Sequence, residues 1–137
     1  MKRLAAAPLL LPLVLLASAC AQWPVAGCSS GQQAAVQDLL YFGTATPDGV
    51  VSASDWQGFV DGVVTPRFPD GLSVWPASGQ WKSAAGPIVR EGSYVLSLVH
   101  PESAKAEAAI ADIVRDYKTR FRQEAVMRVR APACISF

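Results

Sequence analysis

One histidine, three cysteines and two methionines are all that 137 residues offer as imidazole or sulfur ligands. A lone His and the absence of any CxxC pair leave neither a zinc-type spacing nor a thiol-redox motif. There is no Gly-rich phosphate loop, dinucleotide fingerprint or Gly-x-Ser-x-Gly elbow, so nucleotide chemistry and serine hydrolysis have no motif to rest on. Nothing in the sequence points to a cofactor or a metal. Charge is also scarce, at 17% of residues, with 12 Lys and Arg against 11 Asp and Glu. A formal charge of +1 supplies no basic groove and argues against nucleic acid as a partner. What is abundant is apolar: 51% of the chain, enough to core one domain, in a chain too short for several.

The one long hydrophobic run is at the start. Lys2 and Arg3 precede an almost unbroken apolar stretch from Leu4 to Ala19, the form of an export signal. The run is about 16 residues, shorter than the ~20 of a spanning helix, and it contains Pro8 and Pro12. Residues 1–19 are therefore read as a lipoprotein-type signal peptide. Their removal leaves 10 Lys and Arg against 11 Asp and Glu, a net charge of −1. The segment Leu16-Ala17-Ser18-Ala19-Cys20 is similar to a lipoprotein processing site, with Ala17 where Leu is usual, which makes Cys20 the lipidation candidate. Ala21 after it resembles outer-membrane sorting, facing the periplasm. Two alternatives stay open: lipidation at Cys28, within Val25-Ala26-Gly27-Cys28, and plain cleavage after Ala19 to give a soluble periplasmic or secreted form.

With Cys20 as the anchor, Cys28 and Cys134 remain as an even pair in an oxidising compartment, which predicts a disulfide tying the ends of the domain together. The competing reading is a free, buried Cys134 with Cys28 lipidated.

Residues 20–35, rich in Gly, Ser and Gln, read as a tether, and 36–137 as a single α+β domain. A first strand is predicted over Asp38–Thr46, interrupted by Gly43, a residue that marks a bulge or a close approach. Ser52-Ala53-Ser54-Asp55 is a capping-box start, and Trp56, Phe59, Val60 and Val63 then recur at helical spacing until Thr65-Pro66. Gly58 and Gly62 in that helix suggest close packing on a sheet. Leu72–Trp75 and Tyr94–Val99 are predicted strands, the second with Tyr94, Leu96 and Leu98 toward the helices. A second helix follows from Pro101-Glu102 to about Gln123, with Ala106, Ile110, Ile113, Val114, Tyr117 and Phe121 as its apolar stripe. A last strand covers Ala125–Ala131. The order βαββαβ is that of a ferredoxin-like split βαβ sandwich, with two helices on one face of an antiparallel sheet. The other face is then open. Alternation places Val95, Val99, Arg128 and Arg130 there, a mixed apolar and cationic surface for a homodimer or an envelope protein partner.

The words Leu40-Tyr41-Phe42-Gly43, Trp56-Gln57-Gly58-Phe59, Pro66-Arg67-Phe68-Pro69-Asp70-Gly71-Leu72, Gly79-Gln80-Trp81 and Arg90-Glu91 together resemble a bacterial family, domain of unknown function 3574, over about residues 28–137. The resemblance implies small exported proteins or lipoproteins with a cysteine before the first strand and another near the end. It implies no activity, substrate or catalytic residue.

Within those words Arg67, Asp70, Arg90 and Glu91, joined by Tyr41, are the ligand-binding candidates: arginines to hold an anion and a carboxylate to position it. The competing reading makes them turn caps and loop ion pairs. His100 reads as a strand-end residue, Trp56 as core, and Trp75 and Trp81 as packing across a hairpin. Two functions follow from different classes. The first is an uncharacterised, envelope-anchored binding or accessory domain without a catalytic motif. The alternative is a small periplasmic enzyme or anion sensor using Arg67, Arg90 and Glu91.

Overall fold

The computed structural model describes residues 27–137. The segment read as a signal peptide, Cys20 and the tether residues up to position 26 lie outside the described residues. Strand β1 spans Gln33–Gly43 and begins inside the segment read as tether. A two-residue turn at Pro47-Asp48 then joins the short strands β2 (Ala45–Thr46) and β3 (Gly49–Val50). Helix α1 (Ala53–Phe59) starts where its capping box predicts, the Ser52 hydroxyl accepting from the Asp55 amide and the Asp55 carboxylate accepting from the Ser52 amide. It widens into a π-helical turn over Val60–Val64. Strands β4 (Ser73–Lys82) and β5 (Ile88–His100) follow, then α2 (Ala104–Phe121) and β6 (Met127–Ile135).

The four long strands form one antiparallel sheet in the order β4-β5-β1-β6. This is the split βαβ arrangement, and its fold class is ferredoxin-like. Both helices lie on the face bearing Leu40, Phe42, Leu96 and Leu98, where Trp56, Phe59, Val64, Ile110, Ile113 and Tyr117 complete a single core. Phe42 sits at its centre, 4.6 Å from the Tyr117 ring and 5.2 Å from Trp56. Tyr94, Leu96 and Leu98 face the helices as alternation requires. The disulfide between Cys28 and Cys134 joins the residues before β1 to β6 across 106 positions. No helix among the described residues is long and apolar enough to cross a membrane.

Several local expectations are corrected. Gly58 and Gly62 do not pack on the sheet; both are exposed, and nothing lies closer than 4.0 Å to a Cβ built on either. On α2, Asp116 pairs with Arg115 and Arg67, while Arg120, at the ion-pair spacing from Asp116, lies over the Phe121 ring instead. The strand expected over Leu72–Trp75 is longer, reaching Lys82. It is half of a long β4–β5 hairpin running in unbroken register from Ser73↔Ser97 to Lys82↔Ile88. Pro76 and Gly79 within it dilute the strand signal that the pairing overrides.

Candidate functional site

The open sheet face differs from the expected one. Register pairs Leu40 with Arg128 and Asp38 with Arg130, so both arginines project on the helix side with Leu40 and Phe42. Their placement on the open face is therefore wrong, and so is that of a cationic patch. β6 is an edge strand, where the helix-side positions lie at the margin of the core, within reach of acidic residues at and before the start of α2. Long arginine stems cover apolar surface there and carry their charge to Glu102 and Glu107. Val95 and Val99 do lie on the open face, but differently: Val95 is only 2% exposed, whereas Val99 is 42% exposed. One cross-strand row of that face reads Trp75, Val95, Tyr41, Met127, and the next reads Ser73, Ser97, Leu39, Val129. Neither row carries a charge. Met127 is 56% and Val129 45% exposed, an uncommon state for apolar residues gathered in one patch.

On the helix side the arginines build a charged cluster that sequence reasoning missed. Asp38, fully buried, stands in β1 between apolar residues of the core face. Arg128 donates to both its oxygens, Nε to Oδ1 at 2.6 Å and Nη2 to Oδ2 at 2.9 Å, and also grips Glu107 with Nη1 and Nη2. His100 Nε2 lies 2.9 Å from Asp38 Oδ2, and its Nδ1 is 2.9 Å from the Pro101 carbonyl. The Asp38 carboxylate is the acceptor for the Nε2 proton, which orients the ring toward β1. Burial pushes the Asp38 carboxyl up, but hydrogen bonds and charge from Arg128 and His100 outweigh it and hold it below the usual carboxylate range. The bond from Arg128 likewise lowers Glu107, and Glu107 and Asp38 together raise Arg128. With Asp38 sealed and His100 6% exposed, these two are out of reach from solvent, and the cluster locks β1, β5, β6 and α2 together. The signal for it was Asp38 itself: an acid at the parity of Leu40 and Phe42 demands a cationic partner.

The ligand-binding candidates separate. Arg67 donates to the Val63 carbonyl at 2.8 Å and to Asp116 at 3.3 Å, holding the end of the π-helical turn to α2. Asp70 stands at the rim of a broad groove of about 610 Å³ that also involves Ser97, Val99 and Phe137. Arg90 and Glu91 are consecutive in β5 and so point to opposite faces, which dissolves the proposed arginine and carboxylate pair.

Tyr41 and Glu91 do meet. They line a cavity of about 290 Å³ between the β4–β5 hairpin and the α2–β6 connection, with Trp81, Ser93, Gln123 and Met127. Glu91 is fixed at its inner wall: Oε1 accepts from Trp81 Nε1 and Oε2 from the Ala45 amide, both at 2.8 Å. Gly43 makes this possible, since a Cβ there would stand 2.7 Å from Glu91 Oε1. The glycine in β1 thus marks a close approach, of a side chain. Tyr117 donates to the Gly43 carbonyl at 2.9 Å, and Gln123 donates to the Ala45 carbonyl. Burial, with a smaller contribution from the Glu91 charge, pushes the Tyr117 phenol well above its ordinary range, keeping it a neutral donor. Trp81 and Gln123 are the residues that sequence reasoning left out of this site. Among the described residues, no three His, Cys, Asp or Glu side chains assemble as a metal site.

Solved structures share this fold at low identity. A phage SAM lyase in complex with S-methyl-5′-thioadenosine superposes with a TM-score of 0.57 at 15% identity, covering 82% of this chain and 95% of that one. A phage SAM lyase in its apo state gives 0.53 at 13% identity, covering 78% and 91%. CutA from Synechococcus elongatus PCC7942 gives 0.51 at 12% identity, covering 77% and 83%. At such identities the likeness is one of fold alone. A search of curated proteins finds no match to the sequence. The model of one family, Protein of unknown function (DUF3574), matches residues 37–137, and the chain belongs to that family.

Proposed function

We propose that the protein is a non-catalytic binding domain, held to the bacterial envelope by a lipid on Cys20, that pairs with a second copy of itself through its open sheet face. The observation that carries this reading is the apolar character of the central rows of that face, with Trp75, Val99, Met127 and Val129 exposed together and the Glu91 carboxylate set apart at the hairpin end. Four strands about 4.8 Å apart, with about nine residues each at ~3.4 Å rise, give a footprint of roughly 600 Å². Two copies remove roughly 1,200 Å² from water, the lower bound for a stable interface. A two-fold axis along the strands sets β4 of one copy over β6 of the other, so large Trp75 meets flexible Met127, and no like charges meet in the central rows. The apolar run before Cys20 supports the anchor, and several acyl chains at ~0.8 kcal/mol per CH₂ make such an attachment durable.

The alternative, an enzyme or anion sensor built on Arg67, Arg90 and Glu91, has no cavity holding the three together among those described above. Native mass spectrometry of protein extracted from its own membrane in mild detergent tests both halves of the proposal. The expected species is a dimer of chains beginning at Cys20 and carrying acyl mass, converted to monomer by Val129→Glu. A monomer at micromolar concentration refutes the pairing, and unacylated chains refute the anchor.

A further inference from the structure

The cavity beneath the β4–β5 hairpin lies at one end of the open sheet face and shares Tyr41 and Met127 with its central row. Its wall carries the Glu91 carboxylate, which two neutral donors hold in place and no Lys, Arg or His among the described residues neutralises within ion-pair distance. Glu124 adds a second carboxylate to the lining, and no basic residue lines it at all. Around these stand Tyr41 and Trp81, whose ring faces attract cations, and the polarisable thioether of Met127. A carboxylate accepts about four hydrogen bonds, so Glu91 keeps acceptor capacity after Trp81 and Ala45 are served. An anion entering this space meets two carboxylates and π-faces, with no cationic side chain to offset them. A neutral ligand gains the apolar contacts and leaves the fixed charge uncompensated. The volume, about 290 Å³, suits a body of a few carbon atoms.

We propose that this cavity binds a small organic cation, an ammonium or methylated ammonium group on a short carbon skeleton, with Glu91 as counter-charge and Tyr41 and Trp81 as its aromatic walls. All the walls belong to one chain, so the monomer carries the whole site; Tyr41 and Met127 also stand in the open-face row that a second copy would cover, so the monomeric form is the one that decides.

The test uses the whole protein purified in mild detergent, both as the native sequence and as Val129→Glu. Choline and tetramethylammonium are titrated by calorimetry and tryptophan fluorescence against 3,3-dimethylbutan-1-ol, which copies the shape of choline without its charge. Saturable binding of choline is expected at millimolar concentration or below, at least tenfold weaker for the neutral alcohol and weakening as salt rises. Glu91→Gln is expected to weaken choline at least tenfold, and Trp81→Leu to weaken it several-fold. Equal binding of the alcohol, no saturable binding of either ammonium probe, or unchanged affinity in a folded Glu91→Gln protein overturns the proposal. If Glu91→Gln does not fold, the comparison of choline with its neutral copy on Val129→Glu decides alone. Binding that persists in Val129→Glu keeps this result separate from the fate of the dimer.

Discussion

Arg128→Leu isolates the buried charge cluster, because leucine keeps part of the apolar stem and removes every donor. Asp38 is fully buried and Arg128 is about a quarter exposed, so water screens their two bonds only in part. Breaking one side of a buried pair costs ~3–5 kcal/mol, since the remaining charge is stranded. The partial exposure of Arg128 and the surviving donation from His100 place the expected loss near ~3 kcal/mol at pH 7, the low end of that range. For a domain of about 110 residues this lowers Tm by roughly 10–15 °C. Urea unfolding at fixed pH measures it as a fall in midpoint at unchanged slope. The sign of the pH dependence separates charge from packing. In the native protein the folded-state Asp38 lies below its unfolded value of ~3.9, so its contribution is full above that value and lost as pH falls through the folded one. In Arg128→Leu burial goes unopposed by the guanidinium and the carboxyl moves up, so the variant is penalised above its folded value and relieved as the proton binds. The two stability curves therefore converge as pH falls from 7 toward 3. A gap that stays constant over that range assigns the loss to packing of the arginine stem, and a loss below ~0.5 kcal/mol at pH 7 refutes the charge argument altogether. Arg128→Lys, which supplies one point charge in place of a fork, is expected to fall between the two.

Reduction of the disulfide, or the double change Cys28→Ser with Cys134→Ser, opens a loop of 106 positions and is expected to lower stability by about 2–5 kcal/mol, read as a urea midpoint with and without reductant. An unchanged midpoint contradicts it. Gly43→Ala places a methyl group 2.7 Å from a carboxylate that is pinned at both oxygens, so Glu91 must leave Trp81 or the strand must shift. A loss of about 1–3 kcal/mol is expected on thermal unfolding, together with loss of choline affinity, and a variant with native melting and native affinity contradicts the close approach.

How far the sequence discloses this fold depends on whether the deciding contact is local. The capping box at Ser52, the stripe on α2 and the alternation of Tyr94, Leu96 and Leu98 rest on neighbours within a few positions, and all appear where the spacing places them. Alternation along β6 also groups Arg128 with Arg130 and Met127 with Val129 correctly. What it cannot supply is which group faces the helices. That choice is made by register against β1, and register is set by a contact between residues ninety positions apart, the bond from Arg128 to Asp38. The assumption that apolar residues turn toward the helices fails here because the opposite face is apolar too. The cavity is lost to local reading for a related reason. Trp81 and Glu91 meet only after β4 and β5 pair across ten residue pairs, and Glu91 reaches Ala45 only because position 43 has no side chain.

The two consequences belong together. An edge strand with its arginines on the outer face would leave Asp38 buried beside His100 alone and would put like charges where a second copy is proposed to dock. Turning them inward satisfies the acid and leaves Met127 and Val129 outside, so the polar lock on one side of the sheet is what frees the central rows of the other side of charge. Arg128→Leu should therefore weaken the domain while leaving the dimer of those molecules that remain folded intact, and Val129→Glu should do the reverse. If both variants lose stability and dimerisation in parallel, the two faces are not independent and the argument from register fails.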